Sequence, residues 1–101
     1  MFKKKGGSHA VNTDGFEVKF YGRDELIYVE HLLGGGHRQV TIYAGLLVGR
    51  VNRSIEAGSR WLNHWNPPNH QVAITENERK QIVKNITDAL DFLGISYELS
   101  Q

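Results

Sequence analysis

Five histidines, His9, His31, His37, His64 and His70, offer the most chemistry in this chain. His64 and His70 flank Pro67-Pro68, a rigid spacer that could hold two imidazoles around a metal ion. Zinc sites draw three or four ligands at recognisable spacings, and neither His-Glu-x-x-His nor a cysteine pair is present. The expectation is no metal and no cofactor, with the histidines solvated or hydrogen-bonded. Gly34-Gly35-Gly36 could cradle a phosphate, but no Lys-Ser/Thr follows and no helix begins there. Glycine is also the default turn residue, so a loop between strands is expected. Gly-x-Ser-x-Gly is absent. Two carboxylates, or Glu30, His31 and Arg38 together, could meet in space for hydrolysis, yet nothing fixes their geometry. No catalytic residue is assigned, and a non-enzymatic protein is expected.

Chemistry of recognition is better represented. Trp61 and Trp65 lie four apart in the stretch Ser59–Pro68, so on a strand they share a face. Tryptophan and arginine dominate binding hot spots, which makes Arg60, Trp61 and His64 one candidate contact. Trp65 is expected to cover the end of the core, because the double proline beside it fixes the exit of the chain. Charge gives a second candidate. The net charge is +1, but residues 13–33 hold five acids (Asp14, Glu17, Asp24, Glu25, Glu30) against Lys19 and Arg23. A basic partner could use this acidic segment. Lys3, Lys4 and Lys5 make the start of the chain basic, and Arg38, Arg50, Arg53 and Arg60 oppose only Glu56 over residues 34–75. A near-neutral total argues against a dedicated nucleic-acid binder. The alternative is a nucleic-acid-binding module using the lysines and the arginines of 38–60.

Periodicity indicates the scaffold that would carry these groups. Thr75-Glu76-Asn77-Glu78 is a capping box. Ile82, Val83, Ile86, Ala89, Leu90 and Leu93 then recur at helical spacing, and Gly94 stands where a left-handed C-cap belongs. A helix over 76–93 is predicted, followed by a strand over 95–99. That apolar stripe needs a sheet to bury it. Strands are expected at His9–Asn12, at Phe16–Phe20 with Phe16, Val18 and Phe20 inward, and at Leu26–Leu33, Gln39–Val48, Val51–Ala57 and Ser59–Trp65. Short turns between sequential strands imply antiparallel pairing. The fold class is α+β: a mostly antiparallel sheet of about six or seven strands, one long C-terminal helix packed on it, and a final short strand. Residues 1–8 read as a flexible basic tail and 9–101 as a single α+β domain. An edge strand, with 16–21 the candidate, could pair with a partner. The 101 residues suffice for one core. Met1 to Lys5 lead into Gly6-Gly7-Ser8 without a long apolar run, so neither a secretory leader nor a membrane association is expected. The absence of cysteine suits a cytoplasmic location.

The order of alternating strands, Trp65-Asn66-Pro67-Pro68, Ile74-Thr75-Glu76, Arg79, Ile82, Asn85-Ile86, Ala89-Leu90, Gly94-Ile95 and Tyr97-Glu98 resembles the immunity protein 74 family of bacterial polymorphic-toxin systems. The likeness is best over Trp61–Glu98. It implies a small cytoplasmic antitoxin that neutralises the toxic C-terminal domain of a cognate toxin, such as a contact-dependent growth inhibition effector, in a one-to-one complex. It implies no catalytic residues. Many such toxins are nucleases with basic clefts, to which an acidic hairpin would be attracted. Asp14, Glu17, Asp24, Glu25 and Glu30, with Arg60, Trp61 and His64, are the expected toxin-binding residues.

Overall fold

The computed structural model describes residues 1–46, 53–58, 60 and 62–100. Among them are seven strands and one helix: β1 (Phe2–Lys4), β2 (His9–Asn12), β3 (Phe16–Tyr21), β4 (Glu25–His31), β5 (His37–Leu46), β6 (Arg53–Glu56), α1 (Glu76–Leu93) and β7 (Tyr97–Ser100). The strands form one sheet in chain order, β1 to β7. Every neighbouring pair is antiparallel except β6 and β7, which are parallel. Parallel strands require a long crossover, and here α1 supplies it.

Alternation decides which side of the sheet the helix covers. Phe16 and Val18 on β3, Leu26 and Tyr28 on β4, and Val40, Ile42 and Ala44 on β5 are buried. Together with Ile82, Ile86, Ala89, Leu90 and Leu93 of α1 they form the core. The helix starts as its sequence requires. The Thr75 hydroxyl accepts from the Glu78 N–H at 3.1 Å, and a Glu78 carboxylate oxygen accepts from the Thr75 N–H at 3.0 Å. It stops at Gly94, whose φ of 74° is left-handed and suits a residue without a Cβ.

Two sequence expectations are corrected. Phe2–Lys4 are a strand, paired with β2 from Phe2↔Asn12 to Lys4↔Ala10, where the lysines suggested a tail. Phe2 is the reason: its ring stacks on Phe92 of the helix at 5.2 Å and meets Phe16 edge-on at 5.7 Å. One aromatic anchor offsets the ordering of a short polar segment. Consequently Phe16–Tyr21 is interior, between β2 and β4, and the edges of the sheet are β1 and β7.

The expected strand Ser59–Trp65 is also absent among the described residues. The Leu62 N–H turns back to the Gly58 carbonyl, and only a single bridge, His64↔Ala73, has strand character. Ser59 and Trp61 lie outside the described residues, as do residues 47–48 and 51–52 of the expected strands. Asn66 seals the flank of β5, whose pairing with β6 involves Ala44 to Leu46. The Asn66 N–H donates to the Gln39 carbonyl at 2.7 Å, and its side-chain amide donates to the Thr41 hydroxyl at 2.7 Å. Trp65, 2 % exposed, turns inward from this loop as expected. It packs beside Tyr28 at 6.4 Å.

Two substitutions measure these elements by urea denaturation. Thr75→Ala should lower stability by about 1 kcal/mol, and Trp65→Ala by about 3–5 kcal/mol.

Candidate recognition surface

The face of the sheet opposite α1 is built by the residues that alternate with the core. In register across the strands run the rows His9–Lys19–Ile27–Thr41, Val11–Glu17–Val29–Gln39 and Tyr21–Glu25–Tyr43. His31 and His37 form a further row at the far end. The core cluster and its helix lie on the other side, and on this face Val29 is nevertheless buried, 5 % exposed, among its neighbours.

A hydrogen-bonded polar group on this face is centred on Glu17. Its two carboxylate oxygens accept from different imidazoles, His9 Nε2 at 2.7 Å and His31 Nε2 at 2.6 Å. The histidines reach it diagonally from β2 and β4, each two residues along from Glu17's cross-strand partners Val11 and Val29. Burial alone would raise the Glu17 carboxyl, but hydrogen bonds and charge from both histidines overcome this and hold it below the ordinary 4.5. No local pattern in the sequence signals this group. His9 and His31 are 22 residues apart in number, and strand register alone brings them to one carboxylate.

The predicted acidic residues are not gathered into one patch. Asp14 lies in the exposed β2–β3 turn, and the neighbouring Gly15 carbonyl accepts from His31 N–H at 2.8 Å. Asp24 and Glu25 lie at the opposite end of β3, about 20 Å of strand away, with Asp24 beside Arg23 at 3.9 Å. Glu25 stands between Tyr21 and Tyr43 on the open face. The Tyr43 ring leans over Gly45, where an added Cβ would meet its hydroxyl at 2.9 Å. Glu30 points to the helix side, since it alternates with Val29 and His31.

Glu30, partly buried on the helix side, is engaged within the fold instead. Arg38 donates to it through Nη2 at 2.8 Å and to Glu78 at 3.2 Å, with its guanidinium 4.0 Å from the Trp65 ring centre. The Thr75 N–H holds the Glu78 carboxyl below 4.5; burial opposes this, and the Thr75 hydroxyl contact and Arg38 add to the lowering. Arg53 donates to the carbonyls of Arg23 and Ala44 and lies 4.3 Å over Phe20. Two of the arginines considered for nucleic-acid binding are thus engaged within the fold, and Arg50 lies outside the described residues. Arg60 and His64 are exposed, on the loop after β6 rather than on a strand. Trp61, their expected companion, is outside the described residues. Among the described residues no group of three or more His, Cys, Asp or Glu side chains has the geometry to hold a metal ion.

A seven-stranded, mostly antiparallel sheet carrying one capped helix, with polar and aromatic side chains on its uncovered face, defines a small α+β protein. A family description, immunity protein 74, matches residues 28–100. The chain belongs to the immunity protein 74 family. No curated protein and no solved structure compared with it gave a match. No helix among the described residues is long and apolar enough to cross a membrane.

The Glu17 group sets a pH dependence. A carboxyl depressed in the folded state stabilises above its unfolded value, and that contribution is lost as pH falls through the folded value. Glu17→Gln should therefore cost about 1 kcal/mol at neutral pH. Thermal melts of the two proteins should converge below about pH 4.5.

Proposed function

We propose that this protein is an antitoxin that binds the toxic C-terminal domain of a cognate polymorphic toxin one-to-one in the cytoplasm and occludes its active site, without covalent chemistry. The observation that carries this reading is membership of the immunity protein 74 family over residues 28–100. A protein that acts by occlusion needs a stable scaffold and a free surface. The capped helix and the core supply the first, and the open sheet face and its hairpin ends offer the second.

We take the toxin to be a nuclease, whose phosphate-gripping cleft is basic. The carboxylates at the two ends of β3, Asp14 at one and Asp24 with Glu25 at the other, then act at long range. They draw the basic cleft towards the hairpin and raise the association rate. Arg60 and His64, exposed on the loop after β6, add contacts at the rim, and Trp61 is the third residue assigned to this contact from the sequence.

Co-expression with the toxin C-terminal domain encoded directly upstream should protect the cell and yield a one-to-one complex by light scattering. Absence of both protection and a complex would overturn the reading. Charge reversal by Asp14→Lys, or by Asp24→Lys with Glu25→Lys, should slow association several-fold at low ionic strength, with the effect fading by about 0.5 M salt. Stopped-flow kinetics measure both.

A further inference from the structure

The β4–β5 hairpin ends in His31-Leu32-Leu33-Gly34-Gly35-Gly36-His37. Leu33 is 104 % exposed, as open as in an extended chain, and Leu32 is 38 % exposed. Leu33 thus contributes next to nothing to the core. A fully exposed leucine at the apex of a hairpin is a contact in waiting, since loop tips carry binding residues on a rigid scaffold.

The tip is also narrow and held. Gly34, Gly35 and Gly36 have φ values of 85°, 103° and 80°, and a Cβ added at any of them would meet nothing within 4 Å. Three successive residues in this region are accessible only to glycine at low cost. They let the chain reverse without side chains beside the leucines. Two backbone hydrogen bonds close the loop, Leu32 N–H to the Gly36 carbonyl at 3.0 Å and Gly35 N–H to the Leu32 carbonyl at 3.2 Å. Behind it, β4 and β5 pair without interruption from Glu25↔Tyr43 to His31↔His37. Little ordering is therefore needed on binding.

The surroundings indicate the kind of partner. From Leu32 to Gly36 the tip is uncharged. At its base stands the turn that carries the exposed Asp14, tied to the His31 N–H through the Gly15 carbonyl, with Glu17 beside it already engaged by His9 and His31. A convex apolar tip with carboxylates at its base fits a concave apolar pocket with a basic rim. The same carboxylates, and the lack of any lysine or arginine on the tip, oppose insertion into an anionic bilayer.

We propose that Leu33, assisted by Leu32, is the anchor of this protein, inserted into an apolar, basic-rimmed pocket of the toxin domain. This rests on the antitoxin reading above and adds the contact that holds the complex once it has formed. Anchors in apolar pockets act mainly on dissociation, so their effect separates from that of the carboxylates.

The test is the affinity of the toxin domain encoded directly upstream for the full chain and its variants. Leu33→Ala should weaken binding about tenfold, and Leu32→Ala with Leu33→Ala about a hundredfold, through faster dissociation. The melting temperature of Leu33→Ala should be unchanged, because Leu33 is fully exposed and has no packing to lose. Leu99→Ala, an exposed leucine on the far edge strand β7, should bind within about twofold of the unmodified chain. Tight binding by the unmodified chain with equal binding by both tip variants would overturn the anchor and leave the antitoxin reading standing. Failure of the unmodified chain to bind would overturn both. Sedimentation with phosphatidylethanolamine–phosphatidylglycerol vesicles should not occur, and sedimentation that Leu33→Ala abolishes would assign the tip to a membrane instead.

Discussion

Arg38 is the junction that ties the parts of this protein together. Its guanidinium joins Glu30 of the neighbouring strand to Glu78 of the helix and covers the Trp65 ring. Glu78 in turn closes the capping box with Thr75. Strand β4, strand β5, the proline loop and the first turn of α1 therefore meet at one half-buried cation. The arrangement is favourable because the charge is not left alone in a low-dielectric site. Two carboxylates neutralise it, and the aromatic face below accepts its remaining surface. A second link lies further along the helix, where Asn85 donates to the buried Tyr28 hydroxyl at 2.9 Å. These polar contacts set the azimuth of the helix, which hydrophobic burial, being non-directional, leaves loose.

Because one helix covers one face, the sheet has a second face available. Period-2 alternation means that each strand which sends Val18, Tyr28 or Val40 inward must send Glu17, Val29 or Gln39 outward. The outward groups are not simply solvated. Glu17 ties β2 to β4 through two imidazoles, and Tyr43 lies over Gly45. A face ordered in this way presents fixed donors, acceptors and rings at little entropic cost, which is what recognition of a protein surface requires. Edge pairing is less available on the β1 side, where Lys3 and Lys4 stand on the outermost strand, a common protection against unwanted association.

Much of the fold was legible because the signals were local. The capping box, the apolar stripe from Ile82 to Leu93 and Gly94 place the helix at 76–93 to the residue. Phe16, Val18 and Phe20 announce their strand by alternation. Local pattern misleads where it disagrees with a tertiary partner. Lys3-Lys4-Lys5 masked a strand that exists because Phe2 finds Phe92, 90 residues away by number. Ser59–Trp65 had strand-like composition, but among its described residues Leu62 turns back to Gly58, and the loop that follows seals the side of β5 through Asn66.

Residues close together in the chain were enough to specify the helix and its caps, the inward sets of the central strands, the α+β class and the kinship with immunity protein 74. Which charges are neighbours was settled by packing. The packed chain scattered the five acids of residues 13–33 over two ends and two faces, gave Glu30 to Arg38, and brought His9 and His31 to Glu17. It also left Leu33 fully open to solvent. Strand register and hairpin geometry fix these distances, and a shift of one residue would send each side chain to the other face.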